Sequence, residues 1–278
     1  MPACPNCGAP ADVRELHDDE GWIEQSPIRD MARIQAGRSQ CQITGSYVPV
    51  AEMNLAPGEQ VYFSHHVLLW ADPAMQLAAR PMTKGWDRRK AGMPLVMMQA
   101  TGPGRIAFSD DDPGELTAVP LEKGQAIDVS EHRFLVATAT VSYDWFASGI
   151  WWAGGGNYFY PSGRYMDRFT AQQRGLLILH ACGNTFIRNL GDSERIYVLP
   201  RALVYKDPAV YMNIHMEVPA PPELSAPPRQ HWPLIPMIRL TGPGRVAIQS
   251  QYEFENEAHY GWDKLGPQGS WLNWNPRA

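Results

Sequence analysis

Alternating apolar positions are the strongest regularity in this chain. One phrase carries them: Leu, two residues, Gly, a short alternating run, a turn, then a second apolar run. It first reads Leu55, Gly58, Val61 and Phe63, with Val67 to Ala71 following. It recurs without gaps at an offset of 66 residues as Leu121, Gly124, Ile127 and Val129, with Phe134 to Ala137 following. A weaker copy, a further 69 residues on, reads Leu190, Ile196 and Val198, then Leu203 to Tyr205, with Ser193 where the glycine stood. Period-two apolar positions put one strand face into a core. The pattern therefore predicts an all-β chain of about three similar β-units.

A second phrase, Thr-Gly-Pro-Gly-Arg, occurs at Thr101–Arg105 and Thr241–Arg245. Pro103 and Pro243 preset φ at a second turn position, and Gly104 and Gly244 allow positive φ at the third, so a type II turn is expected. The first copy precedes the second Leu-x-x-Gly strand, and Ala181-Cys182-Gly183-Asn184 reads as its degenerate counterpart before the third. The last copy has no such strand after it. We therefore expect residues of about 237 to 250 to lie against the first unit, around 41 to 63, and close the sheet, which would remove exposed edges.

The flanks read differently. Residues 1–38 form an N-terminal appendage: Cys4-Pro-Asn-Cys7-Gly8, an acidic stretch at His17 to Glu20, and a short helix from Ser26 or Asp30 toward Ala36, stopped by Gly37. Residues 39–260 are the β domain, and 261–278 an aromatic tail with Trp271 and Trp274. An aromatic, glycine-bearing link runs from Tyr143 to Phe169, and a Pro-rich one from Val218 to Pro228 reads as an extended connector.

Composition narrows the classes. Of 278 residues, 44% are hydrophobic and 19% charged, which predicts a folded chain. The formal charge of −5 argues against non-specific nucleic-acid binding, which needs clustered Lys and Arg. The densest basic run, Lys84–Lys90, is short, contains Asp87 and reads as a solvated loop. Met1-Pro2-Ala3-Cys4 lacks the basic start and apolar core of a signal peptide, and the apolar window Phe134–Gly156 carries Asp144 and a glycine triplet, which argues against a membrane span. Four cysteines without a leader fit reduced thiols in a cytoplasm.

The repeated Gly-Pro-Gly-Arg-(Ile/Val)-Ala phrase, the Leu55-to-Glu59 start and the Leu68-Leu69-Trp70-Ala71 run resemble one family across roughly residues 40–255. It is the bacterial and mitochondrial family named for "altered inheritance of mitochondria", member twenty-four, also described as TRAP-like. The resemblance implies a double-stranded β-helix or β-sandwich related to the tryptophan RNA-binding attenuation protein, with no enzymatic activity established for the class. Its mitochondrial members are associated with inner-membrane organisation. The aromatic insert near 145–169 and the Pro-rich connector depart from the pattern. No Lys-rich motif matches the attenuation protein's tryptophan and RNA sites.

Candidate sites follow. Cys4 and Cys7 form half of a zinc-ribbon knuckle, with Cys41, His17 and the distant Cys182 as candidate completing ligands; free thiols, or zinc shared between two chains, are the alternatives. His65, His66 and His132 fall at the turn inside the phrase and read as turn residues, since adjacent histidines on a strand face opposite ways. Cys182 reads as a buried structural thiol, and Asp110-Asp111-Asp112 as a hairpin turn and not a calcium loop. There is no nucleophile elbow or phosphate loop. Trp145, Trp151, Trp152, Tyr158 and Tyr160 are candidate interface or ligand-binding residues; the alternative is that they cover one end of the β-core. The leading expectation is a non-enzymatic, cytoplasmic, homo-oligomeric scaffold or binding protein. The alternatives are a cupin-like metalloenzyme, and a peripheral membrane-associated protein using residues 145–160.

Overall fold

The computed structural model describes residues 21–24, 32–80, 97–154, 157–217 and 235–251. These residues form antiparallel strands and two single turns of 3-10 helix, at His65–Val67 and Pro200–Ala202. The knuckle cysteines, His17, the Lys84–Lys90 run, the Pro-rich connector and residues 261–278 lie outside the described residues.

Two short strands open the chain, β1 (Trp22–Glu24) and β2 (Ala32–Ala36). Three consecutive stretches follow. The first holds β3 (Ser39–Thr44), β4 (Val50–Leu55), β5 (Gln60–Ser64), β6 (Leu68–Ala71), β7 (Gln76–Ala79), β8 (Met97–Thr101) and β9 (Gly104–Phe108). The second holds β10 (Gly114–Leu121), β11 (Ala126–Ser130), β12 (Phe134–Thr138), β13 (Val141–Ala147), the hairpin β14 (Trp152–Gly154) and β15 (Asn157–Phe159), then β16 (Tyr165–Ala171) and β17 (Gly175–Cys182). The third holds β18 (Thr185–Leu190), β19 (Arg195–Val198), β20 (Leu203–Lys206), β21 (Tyr211–Glu217), β22 (Ile235–Thr241) and β23 (Gly244–Gln249).

The same pairing order recurs in all three. β4–β9–β6 and β5–β8–β7 form two layers of the first stretch, β10–β17–β12 and β11–β16–β13 those of the second, and β18–β23–β20 and β19–β22–β21 those of the third. Register is kept: Leu55 faces Gly104, Leu121 faces Gly175, and Leu190 faces Gly244. Each pair of layers encloses an apolar core, as in a β-sandwich. Met53, Phe63, Ile106 and Phe108 fill the first, Ile127, Val129, Phe169 and Leu179 the second, and Leu203, Ile238, Leu240 and Val246 the third.

Neighbouring stretches share sheets. β5 pairs with β12, with Phe63 opposite Val136 and Tyr62 opposite Ala137, giving one six-stranded sheet. β11 pairs with β20, with Val129 opposite Tyr205 and Asp128 opposite Lys206. Strands buried on both faces read as continuous apolar runs, which explains Phe134-Leu135-Val136-Ala137: Leu135 and Val136 enter the first core, Phe134 and Ala137 the second.

Four expectations are corrected. Residues 32–36 form strand β2, not a helix. Arg33, Ile34, Gln35 and Ala36 alternate outward and inward against β3, and Gly37, at φ 62°, turns the hairpin instead of stopping a helix. The Thr-Gly-Pro-Gly-Arg phrase ends a stretch: it joins β8 to β9 and β22 to β23. Its counterpart in the second stretch is Gln172–Arg174, between β16 and β17, whereas Gly183 and Asn184 link two stretches. The turn is not type II, because Gly104 and Gly244 stand at φ 144° and 134°, far from the roughly +80° that type II needs there. Finally, β22 and β23 pair with β18 to β21, so the last strands complete the third stretch and form no ladder with residues 41–63.

Candidate interaction surface

Polar groups that sequence reading left without a role hold strands together here. The backbone amide of Arg105 donates to Asp72 Oδ2 at 2.9 Å, and the Asp72 amide donates to the Arg105 carbonyl at 2.8 Å. Asp207 and Arg245 make the same reciprocal pair at 2.9 and 2.8 Å, with Arg245 Nε and Nη2 also donating to the carboxylate. That hydrogen bond holds the Arg245 guanidinium above its ordinary pKa range. In the second stretch Thr138 replaces the aspartate: Leu176 N donates to Thr138 Oγ1 at 3.0 Å. The missed signal was a third repeated phrase, Asp-Pro-Ala, beginning at Asp72 and Asp207.

The junction between the second and third stretches contains an ion triad. Asp128 is fully buried and accepts from Lys206 Nζ at 2.9 Å and from Arg168 Nε and Nη2 at 2.6 and 2.9 Å. A buried carboxylate is tolerated when paired and hydrogen-bonded in this way. In the sequence it falls between the alternating apolar positions Ile127 and Val129.

The aromatic insert divides into covered and open rings. Trp145, on β13, stacks edge-on against Tyr165 at 5.0 Å. Trp152, on β14, lies 5.3 Å from Phe159, which is buried. Tyr160 has the Arg164 guanidinium 5.5 Å from its ring centre. Trp151 and Tyr158 pack edge to face at 5.4 Å and stay open to solvent, at 47% and 64% exposure. The structure therefore brings Trp151 and Tyr158 together as one open pair at the β14–β15 hairpin, and tucks Trp145 and Trp152 against other rings.

Below this insert, Glu131 accepts the Tyr165 amide at 2.7 Å, and a methyl group on Gly163 would collide with its carboxylate. Burial pushes the Glu131 carboxyl up to about 7, the Tyr165 hydrogen bond acting against it.

The other candidates are dispersed. Cys41 is fully buried in the first core, and burial, with Glu52 adding to it, pushes its thiol up to about 12. That opposes the thiolate a zinc ligand must supply. Cys182 is buried, and burial likewise raises its thiol, against the nearby Arg133, whose Nη1 lies 3.4 Å from the sulfur. His180 holds the Asp110–Asp112 turn, with Nδ1 3.0 Å from Asp110 and Nε2 3.1 Å from the Asp112 carbonyl. His66 is exposed, and His132 sits in a turn at φ 64°. Among the described residues, no three His, Cys, Asp or Glu side chains gather where they could hold a metal.

A family profile described as Mitochondrial biogenesis AIM24 matches residues 41–251. The chain belongs to the AIM24 family. Among solved structures, the crystal structure of protein SPYM3_0169 from Streptococcus pyogenes is similar, with a TM-score of 0.59 at 17% identity, covering 82% of this chain and 99% of that one. At that identity the likeness concerns the fold alone. Among curated proteins the comparison gives no match. No helix among the described residues is long and apolar enough to cross a membrane.

Proposed function

We propose that this AIM24-family chain is a non-catalytic, multimeric β-scaffold that works in the cytoplasm and presents the β14–β15 hairpin to a protein partner. In this reading the three stretches are copies of one structural unit. One observation carries it: the buried or paired charges described above are spent on joining strands, while Trp151 and Tyr158 stand open as an aromatic pair. Large, stiff rings of this kind anchor protein interfaces. Zinc at Cys4 and Cys7 belongs to the same proposal, as a staple of the appendage.

The experiment is a native mass and metal measurement on the full chain, with partner capture by wild type compared with a Trp151→Ala/Tyr158→Ala variant. The reading expects a multimer of unchanged mass in the variant and loss of the captured partner. A monomeric wild type, or a variant that retains the partner, contradicts it. Exposed aromatics also suit a bilayer headgroup region. Co-sedimentation with anionic vesicles that is lost in the same variant would favour the peripheral-membrane alternative.

A further inference from the structure

Two junctions between stretches are made inside the chain, and both follow one rule. The β5-type edge of one stretch joins the β6-type edge of the next, in the same register. Tyr62 faces Ala137 across the first junction and Asp128 faces Lys206 across the second; Phe63 faces Val136 and Val129 faces Tyr205 one position on. Two edges of these types remain: β19 at the end of one three-stranded sheet and β6 at the end of a five-stranded sheet. Among the described residues no strand pairs with either of these edges.

Applied to the remaining edges, the rule sets Tyr197 opposite Ala71 and Val198 opposite Trp70. This repeats the residue types of the first junction, Tyr62 opposite Ala137. Even the position that covers the tyrosine recurs, with a guanidinium in one case and an imidazole in the other. Arg80 lies 3.6 Å over Tyr62, and His215, at the equivalent place after Tyr211, stacks 4.4 Å from Tyr197. Exposure shows what is missing. Leu135, Val136, Val204 and Tyr205 are at most 2% exposed, whereas their counterparts Leu69 and Trp70 are 55% and 37% exposed. Tyr62 is fully buried, and Tyr197 is 51% exposed.

We propose that these edges are the two halves of a third junction, completed by a second copy of this chain: β19 of one molecule adds to β6 of the next. This rests on the multimeric reading above and names its contact. An exposed apolar edge is a template for such strand addition. The contact is head-to-tail, so it propagates into a ring where the rotation closes and into a filament where it does not.

Opposed residues on antiparallel strands lie about 4.5–5.5 Å apart at Cα, within disulfide reach. The test uses full-length chains with Cys4 and Cys7 changed to Ser; Cys41 and Cys182 are buried. Ala71→Cys and Tyr197→Cys proteins are mixed and oxidised. A disulfide-linked heterodimer is expected, and the double variant should give a ladder on a non-reducing gel. Pairing Ala71→Cys with Tyr158→Cys should give no product. Tyr197→Lys, at an exposed position, should keep the wild-type circular dichroism spectrum and lose the multimer. A multimeric protein with no 71–197 link overturns this contact and leaves the multimeric reading standing. A monomeric wild type overturns both. A double variant that closes its disulfide within one chain shows that the edges meet intramolecularly and also overturns the proposal.

Discussion

Asp207 grips Arg245 at both backbone and side chain: its carboxylate takes the Arg245 amide at 2.9 Å and the guanidinium at 3.0 and 3.2 Å. The equivalent Asp72 takes the Arg105 amide at 2.9 Å but leaves Arg105 Nε 3.7 Å away. Arg105 is also the more exposed of the two side chains, at 57% against 35%. Asp207→Ala is therefore expected to cost about 1–2 kcal/mol, after allowance for solvent screening of the pair. Asp72→Ala should cost about 1 kcal/mol or less by the same reasoning. Urea denaturation of the two variants checks the order; an equal or larger loss for Asp72→Ala contradicts it.

The buried triad makes a sharper prediction. Asp128→Ala leaves Lys206, whose side chain is 6% exposed, without its carboxylate. Removing one partner of a buried ion pair costs about 3–5 kcal/mol. Asp128→Leu combined with Lys206→Met should regain much of that loss, because no buried charge is then left alone. Denaturation midpoints for the single and double variants decide it, and a double variant no better than Asp128→Ala counts against the pairing.

Glu131 predicts a pH effect. Its folded pKa of about 7 lies above the ordinary carboxyl value of 4.5. The folded state therefore binds the extra proton, and stability from this group is fully present below about pH 4.5 and lost as pH rises through 7. Glu131→Gln keeps an acceptor for the Tyr165 amide and removes the titration. Thermal unfolding from pH 4.5 to 7.5 should show wild type falling relative to this variant; parallel curves contradict the assignment.

Two classes of glycine should respond differently to alanine. A methyl group on Gly102 would sit 2.5 Å from the Ala56 carbonyl, and one on Gly242 would meet the Gly191 carbonyl. Gly58 and Gly124, at φ 78° and 85°, have nothing within 4 Å. Alanine at the latter pair should cost about 1 kcal/mol for the left-handed backbone alone. Alanine at Gly102 or Gly242 should cost clearly more, since backbone must move. Equal losses in a stability assay would contradict the close approach.

The strands around Val61 and Ile127 were legible because alternation and a preceding glycine are local signals, and that around Ile196, where Ser193 replaces the glycine, from alternation alone. Partner choice was not, since a period-two pattern says which face is buried and nothing about which edge is paired. That is why β23 was expected against the first stretch, although Leu190 and Asp207 hold it in the third. Asp128 was illegible for a similar reason: its partner Lys206 lies 78 residues away. Residues 32–36 misled because a short run with Gly37 after it fits a helix stop and a hairpin turn alike. The open ring pair at Trp151 and Tyr158 could be named as candidates from composition, but their separation from the tucked Trp145 and Trp152 needed the β14–β15 register.

The central claim is that the chain is a self-associating β-scaffold. Native mass spectrometry of the unmodified full-length protein tests it most directly. The account predicts whole-number multiples of 31.1 kDa that collapse to a single chain in Tyr197→Lys. A lone 31.1 kDa species at micromolar concentration would contradict it.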